Sequence, residues 1–129
     1  MAQTAAEAIQ RRLASFAVKI FELVGRLPKT PAARHVSGQI LRSGTSPAPN
    51  YGEARSAESR ADFIHKHRIA VKELNETDIW LLIILEARMA PAILVENLIK
   101  EDRKLACILG ASIRTAQARL NNKSPITNS

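Results

Sequence analysis

The chain has 129 residues, of which 46% are hydrophobic and 24% are charged. This size and composition fit one globular domain and exclude an intrinsically disordered chain, which would contain fewer apolar residues. The net charge of +7 and the pI near 10.2 favour an anionic partner such as RNA, DNA or a membrane surface.

Three features of the sequence predict a cytoplasmic protein that does not enter a membrane. The single cysteine, Cys107, excludes an internal disulfide framework and indicates a reducing compartment. Its apolar neighbours predict a buried, unreactive thiol. The N-terminal stretch MAQTAAEAIQRR lacks the apolar segment of a secretory signal peptide. The longest apolar run, Ile79 to Leu85, has seven residues, which is too short to span a bilayer.

The first predicted helix covers Thr4 to Leu27. Its apolar side chains recur at gaps of three and four residues and form one stripe, at Ile9, Leu13, Phe16, Ala17, Ile20, Val24 and Leu27. Thr4, followed three residues later by Glu7, is a capping-box pattern that predicts the start of the helix. Pro28 and Pro31 predict the end of this helix and the beginning of the next.

The second predicted helix runs from near Pro31 to about Ala57 and contains a proline-rich segment. Pro47 and Pro49 lack a backbone N–H, so a helix that passes through them must bend or restart. Small residues nearby, including Gly44, would allow another backbone to approach closely. We favour one kinked helix, and the alternative is an ordinary loop between two short helices.

The third predicted helix, about Ser59 to Met89, is the longest. A seam of core positions with alternating gaps of four and three residues predicts packing in a bundle: Phe63, His67, Ala70, Leu74, Thr77, Leu81 and Ile84. Ser59 or Ser56 can cap its N-terminus. From Ile79 to Leu85 the helix is apolar on every side. Either this segment is unusually enclosed or one of its faces meets another subunit, and we favour the subunit.

A fourth helix is predicted after a turn at Ala90 and Pro91, with apolar spacing that continues to Leu120. The polar residues 121–129 predict a frayed tail, so the ordered core of this single domain (1–129) should span about 4–120. Four helices with short connections, and no strand-like alternation, predict an all-α fold. We expect an antiparallel up-and-down four-helix bundle with a proline-kinked second helix.

Charge is distributed unevenly along the chain. Residues 1–72 have a net charge of +7, residues 73–102 of −5, and residues 103–129 of +5. Separate basic and acidic surfaces suit a directed anion-binding site. They would suit head-to-tail contact between subunits equally well, because a ring needs two different, complementary surfaces.

The sequence offers little support for catalysis or metal binding. It has no nucleophile elbow, phosphate-binding glycine loop or dinucleotide fingerprint, so we expect neither enzymatic activity nor a cofactor. Asp62 and His65 give one partial match to the Glu-x-x-His motif of di-iron bundles. His65 and His67 are two residues apart and point in different directions on a helix, so we expect no metal site. His67 is expected to be a hydrogen-bonded core or interface residue.

Two groups of polar residues are candidates for a functional or structural role. The first is predicted to form a buried network that determines the register of helices or subunits: Arg42, Asn50, Glu53, Glu73 and Glu76. The second comprises unranked candidates for nucleic-acid contact: Arg11, Arg12, Lys19, Arg26, Arg34, Lys66, Arg68, Arg114 and Arg119. The alternative for each of these is a solvated charged surface. The few aromatic residues lie mostly at apolar positions, so contact should be made through phosphates with weak sequence specificity.

The proline segment also carries a family resemblance. The stretch SPAPNYGEARSAES, followed by ADF, IA and KELNETDIWL, resembles bacterial four-helix-bundle proteins encoded within intervening sequences of 23S rRNA genes. More distantly, it is similar to the accessory protein of diversity-generating retroelements. The resemblance runs from about Phe16 to about Leu120 and is most specific from Arg42 to Leu82. It implies a small bundle that assembles as a ring of five and has an affinity for RNA, without a settled biochemical activity.

We therefore expect a non-enzymatic, basic homo-oligomer, pentameric by resemblance, that binds structured RNA or DNA through phosphate contacts. The alternative is an oligomeric scaffold that recruits a protein partner and has no nucleic-acid role. In that case the charge would serve assembly alone.

Overall fold

The computed structural model describes residues 2–123, and every regular element in this range is an α-helix. The helical segments are α1 (Ala5–Arg26), α2 (Pro31–Thr45), α3 (Pro47–Arg55), α4 (Arg60–Glu86) and α5 (Ala92–Lys123). Only Ser46 separates α2 from α3, so these two segments form one bent helical rod. The fold of residues 2–123 therefore consists of four rods, which are α1, the bent α2–α3 pair, α4 and α5.

The predicted capping box starts α1. The Thr4 hydroxyl accepts a hydrogen bond from the Glu7 backbone N–H at 3.0 Å, and the Glu7 carboxylate accepts one from the Thr4 N–H at 2.9 Å. These reciprocal bonds satisfy two N–H groups that have no partner within the helix. The hydrogen bonds from Thr4 also lower the pKa of Glu7.

The bend at Ser46 confirms the predicted proline-kinked helix. Ser46 keeps right-handed helical angles (φ −64°, ψ −36°), so the backbone does not open into a loop. Its N–H donates to the Arg42 carbonyl at 3.1 Å, and its carbonyl accepts from the Asn50 N–H at 3.2 Å. Pro47 and Pro49 cannot donate to the preceding turn, which bends the rod at this point.

The four rods pack around a single core, and rods that are consecutive in the sequence are neighbours in the bundle. The α1 helix packs against α2, α3 and α5, while α4 packs against α2, α3 and α5. No close backbone contact joins α1 to α4 in the described part of the chain, so these two helices lie diagonally opposite. This is the predicted antiparallel up-and-down four-helix bundle. The largest fully buried side chains come from all four rods: Leu13, Phe16, Ile20, Leu23, Ile40, Leu74, Leu81, Ile84, Leu105 and Leu109.

The predicted seam of α4 faces this core. Of the predicted positions, His67, Ala70, Leu74, Thr77, Leu81 and Ile84 are buried, and Phe63 is half-buried. Ser59, rather than Ser56, caps the helix, because its hydroxyl accepts from the Asp62 N–H at 3.0 Å. No helix in the described range is long and apolar enough to cross a membrane.

Two expectations for α5 differ from the structure. The helix continues to Lys123, three residues beyond the predicted boundary, and the remainder of the predicted tail (124–129) lies outside the described residues. The prediction of a buried thiol is wrong, since Cys107 is exposed. Leu105 and Leu109 both face the core. A residue midway between them points to the opposite side of the helix.

Candidate nucleic-acid interface

The described ion pairs involve four basic side chains. Arg12 pairs with Glu101, Arg42 with Glu73 and Glu76, Lys66 with Glu53, and Arg103 with Asp78. Two of the nine candidate nucleic-acid contacts, Arg12 and Lys66, are therefore already bound to carboxylates. The other seven have no ion pair in the described structure: Arg11, Lys19, Arg26, Arg34, Arg68, Arg114 and Arg119.

The Arg12–Glu101 pair joins the first and last helices of the bundle. Arg12 Nε lies 2.8 Å from Glu101 Oε2, and Arg12 Nη2 lies 2.9 Å from Glu101 Oε1. This bidentate geometry matches the planar guanidinium to the carboxylate. The hydrogen bonds from Arg12 lower the pKa of Glu101. Arg12 therefore has a contact between helices that the sequence pattern did not reveal.

Three of the remaining candidates lie on the exposed side of α1. Arg11, Lys19 and Arg26 are all exposed. Their spacings of eight and seven residues place them within one side of the helix, about 12 Å and about 10 Å apart along its axis. Arg34 is exposed near the start of α2, where its guanidinium donates to the Lys29 carbonyl at 3.2 Å.

The other candidates lie on α4 and α5. Arg68 Nη2 is 3.4 Å from Gln117 Oε1, which places this α4 side chain against the last turns of α5. Arg114 and Arg119 are exposed on the same part of α5. The structure thus divides the unpaired candidates into a group on α1, Arg34 on α2, and a group at the start of α4 and the end of α5.

The predicted polar network is divided in two. The Arg42 guanidinium binds Glu73 Oε1 at 2.8 Å and also Glu76, whose carboxylate accepts from Trp80 Nε1 at 3.0 Å. This cluster is not fully buried, because half of the Arg42 side chain (50%) is exposed. Glu73, with 11% of its side chain exposed, is its most enclosed member.

Asn50 and Glu53 do not join this cluster, contrary to the prediction. Asn50 Nδ2 donates to the carbonyl and hydroxyl oxygens of Ser46, each at 3.0 Å, and Glu53 accepts from Lys66 Nζ at 2.7 Å. The separation follows from helix geometry, since Glu53 is eleven residues and about 16 Å beyond Arg42 along the rod.

Next to the Arg42 cluster in the sequence, a buried hydrogen bond of 2.9 Å joins the hydroxyls of Thr77 and Ser43. Sequence analysis did not identify this pair.

A cleft lies between the connection that precedes α4, the first turn of α4 and the last turns of α5. Its volume is about 820 Å³, and its walls include Arg60, Phe63, Arg119 and Leu120. Arg60 and Phe63 were not recognised as candidates from the sequence. They become part of a site because the antiparallel α4–α5 pair brings the start of one helix to the end of the other.

The buried His67 is a core residue. Its Nδ1 lies 3.1 Å from the Phe63 carbonyl oxygen, and its ring packs against the rings of Phe63 and Tyr51 at centroid distances of 4.1 and 5.3 Å. Burial lowers the pKa of His67, so the ring is neutral at physiological pH. Among the described residues, no three His, Cys, Asp or Glu side chains are grouped closely enough to hold a metal ion.

Comparison with known proteins places this chain in a family. The family model of the 23S rRNA-intervening sequence protein matches residues 7–111. The fold is similar to that of a protein of unknown function from the S23 ribosomal protein family of Bacteroides thetaiotaomicron VPI-5482, known from a crystal structure. That structure superposes with a TM-score of 0.76 at 36% sequence identity, over 81% of this chain and 97% of the other. No curated protein matches the sequence. The matched residues and the shared fold show that this chain belongs to the 23S rRNA-intervening sequence protein family.

Proposed function

We propose that this protein is a non-enzymatic, basic homo-oligomer of the cytoplasm that binds structured RNA or DNA through phosphate contacts. The observation that carries the proposal is the surplus of basic side chains outside ion pairs. The described ion pairs neutralise only Arg12, Arg42, Lys66 and Arg103, whereas the chain has 19 Lys and Arg residues. Such a surplus attracts a polyanion and releases its counterions on binding.

The side of α1 supplies a regular basic surface for this contact. Arg11, Lys19 and Arg26 project from one helix at intervals of about 10–12 Å, and each is exposed. A rigid helix holds their spacing constant. Repetition of the surface around a symmetric oligomer would let several modest phosphate contacts act together, because each one raises the effective concentration of the next.

Exposed apolar side chains support the oligomeric part of the proposal. In the apolar segment of α4, Ile79 is 58% exposed, Leu82 38% and Ile83 39%. The bundle therefore does not enclose this segment, and a second subunit would cover the exposed face. On α1, Val18 and Phe21 are also exposed. A ring of five subunits is the family expectation for this assembly.

The test is RNA and DNA binding at several salt concentrations. If phosphate contacts dominate, log affinity should fall linearly with log salt, by about 0.7 to 0.9 for each phosphate contacted. Replacing Arg11, Lys19 and Arg26 together with Gln should weaken binding and flatten that slope. Gln retains helix propensity, and the three side chains make no described ion pair, so the fold should be unaffected.

The control removes two basic charges from a different part of the chain. Arg88 and Lys100 are exposed within the acidic stretch 73–102, and their replacement with Gln should leave the salt slope unchanged. Tight binding that does not respond to salt would contradict the phosphate mechanism.

The alternative function is an oligomeric scaffold that recruits a protein partner. The exposed apolar residues on α1 and α4 favour it, since they offer docking surfaces that need no nucleic acid. An absence of RNA and DNA binding at low salt, together with normal assembly, would support the scaffold and contradict the nucleic-acid proposal.

A further inference from the structure

The cleft between α4 and α5 differs from the basic surface of α1, because it combines an aromatic wall with positive charge. It is lined by the α3–α4 connection, the start of α4 and the end of α5, and no residue of α1 or α2 contributes to its described lining. Its volume of about 820 Å³ lies within the usual range for small-molecule sites, roughly 300–1,000 Å³.

The apolar part of the cleft includes an aromatic side chain. Phe63 is half-buried, and its ring packs against His67 with an interplanar angle of 32°. That contact restrains the Phe63 ring, which also forms part of the cleft wall. Ala116 and Leu120 of α5 line the same space. A planar, weakly polar ring such as a nucleobase suits this combination of an aromatic wall and aliphatic side chains.

The charged part of the cleft suits a phosphate. Arg60 and Arg119 both line the cleft, and neither takes part in a described ion pair. Guanidinium groups bind phosphate oxygens through paired hydrogen bonds. Hydroxyl groups of Ser112 and Thr115 also line the cleft and can hydrogen-bond a base edge. One carboxylate, that of Glu58, lies in the lining and opposes anion binding.

We propose that this cleft binds one unpaired nucleotide of a single-stranded RNA or DNA segment. The base packs against Phe63 and Leu120, and its phosphate binds Arg60 and Arg119. This inference rests on the proposed nucleic-acid function and gives it a specific site. It also changes the expected mode of binding, since the cleft adds base stacking to contacts that would otherwise involve phosphates alone.

The first experiment compares a short, fluorescently labelled single-stranded RNA with the same sequence as a blunt-ended duplex, by fluorescence anisotropy. Phe63→Leu keeps an apolar side chain but removes the aromatic ring. It should weaken single-strand binding by about fivefold or more, the effect of losing one base–aromatic stack. Duplex binding should not change, because paired bases cannot enter the cleft. If the single strand binds, equal affinity for the wild type and this variant would overturn the proposal.

Three further substitutions keep the test independent of any change in folding at Phe63. Arg119→Gln removes a cleft charge, and Arg114→Gln removes the same charge from an exposed α5 position outside the cleft. Arg119→Gln should reduce single-strand binding more than duplex binding, whereas Arg114→Gln should affect both forms equally. Glu58→Gln should strengthen single-strand binding, since it removes the opposing carboxylate. Identical behaviour of the two arginine variants would count against the cleft.

The second experiment separates the cleft from the general function. Equilibrium dialysis measures binding of adenosine 5′-monophosphate to the wild type, Phe63→Leu and Arg119→Gln. Weak binding that both variants lose would support the cleft even if neither RNA nor DNA binds, and that absence of nucleic-acid binding would then overturn only the proposed function. RNA binding that no cleft variant changes, with no nucleotide binding, would overturn the cleft and leave the function intact. If the protein binds neither a nucleic acid nor adenosine 5′-monophosphate, the cleft and the proposed function are both overturned.

Discussion

Ile20 on α1 packs directly against Gly44 on α2, with no room for a side chain at the glycine. A Cβ placed at Gly44 would lie 2.9 Å from Ile20 Cγ1 and 3.2 Å from Cγ2. Both residues are buried, and Gly44 lies two positions before the bend at Ser46. The small residue thus allows a close approach of the two rods immediately before the prolines.

Gly44→Leu should destabilise the protein by about 1–3 kcal/mol, because the added side chain overpacks the contact with Ile20. Chemical denaturation monitored by circular dichroism would measure the change. The matched control is Gly38→Ala in the same helix, where a Cβ would meet no atom of residues 2–123 within 4 Å. That control should stabilise the helix by roughly 0.5–1 kcal/mol. If Gly44→Leu unfolds at the same denaturant concentration as the wild type, the two helices do not pack as described.

Arg12 and Arg11 are neighbours in sequence and should behave differently. Arg12→Ala should lower the free energy of unfolding, because it breaks the bidentate pair with Glu101 and leaves a partly buried carboxylate unpartnered. The Arg12 side chain is 41% exposed, so solvent screening limits the expected loss to about 1 kcal/mol. Arg11→Ala should have no measurable effect.

A double-mutant cycle with Glu101→Ala isolates this interaction. A coupling energy of zero would show that the Arg12–Glu101 pair contributes nothing to stability, and Arg12 would then be available for an external anion.

Sequence periodicity predicted the fold because each helix has its own regular spacing of apolar residues. The seam from His67 to Ile84 and the capping box at Thr4 are local patterns that determine which face is buried and where a helix begins. The candidate functional site depends instead on contacts between residues that are far apart in the sequence. Arg12 and Glu101 are 89 residues apart, and no local pattern predicts that they meet. The cleft was missed for the same reason, since Phe63 faces α5 only after α4 and α5 have paired.

The buried Asp102 should make stability depend on pH. It is 1% exposed, and its Oδ1 has no hydrogen-bond partner among the described residues. Burial, followed by the nearby Asp78 carboxylate, raises the pKa of Asp102 from 3.8 to about 8, while Arg103 acts in the opposite direction. Between these two pH values the folded state binds more protons than the unfolded state, so the free energy of unfolding falls as pH rises.

Asp102→Asn should remove this dependence and stabilise the protein at pH 8 by about 1–3 kcal/mol, because the buried charge is lost. Thermal melts at a series of pH values would measure it, with the exposed Glu96→Gln as control. Lower stability of the Asn variant at pH 8 would indicate that the carboxylate has a partner within the assembled protein.

Arg88, two residues after the end of α4, has a backbone conformation that suits glycine. Its φ of 54° is left-handed, and the Met89 N–H donates to the Ile84 carbonyl at 3.1 Å across the turn. A side chain with a Cβ costs about 1–2 kcal/mol in this conformation. Arg88→Gly should therefore raise the melting temperature, whereas Arg88→Ala removes the same charge without relieving the strain and should not. Equal melting temperatures for the two variants would contradict this explanation.

Assembly should depend on the apolar face of α4. Ile79, Leu82 and Ile83 are partly exposed on the isolated bundle, while Leu81 and Ile84 of the same segment are fully buried. Light scattering should give a mass well above the 14.2 kDa of one chain. Replacing Ile79 and Ile83 with Gln should reduce that mass without unfolding the protein, because both side chains lie outside the core.

The exposed residues of α1 provide the comparison that identifies the contacting surfaces. A closed ring of identical subunits needs two different surfaces, so a head-to-tail contact would pair the α4 face of one subunit with another face of its neighbour. Phe21→Gln, at an exposed position of α1, should then reduce the mass as the α4 variant does. If only the α4 variant dissociates the assembly, Phe21 lies outside the contact, which is then either self-pairing of the α4 face or a head-to-tail contact with a different exposed residue such as Ile93. A monodisperse wild-type monomer at micromolar concentration would exclude both arrangements, and the nucleic-acid affinity would then depend on a single chain.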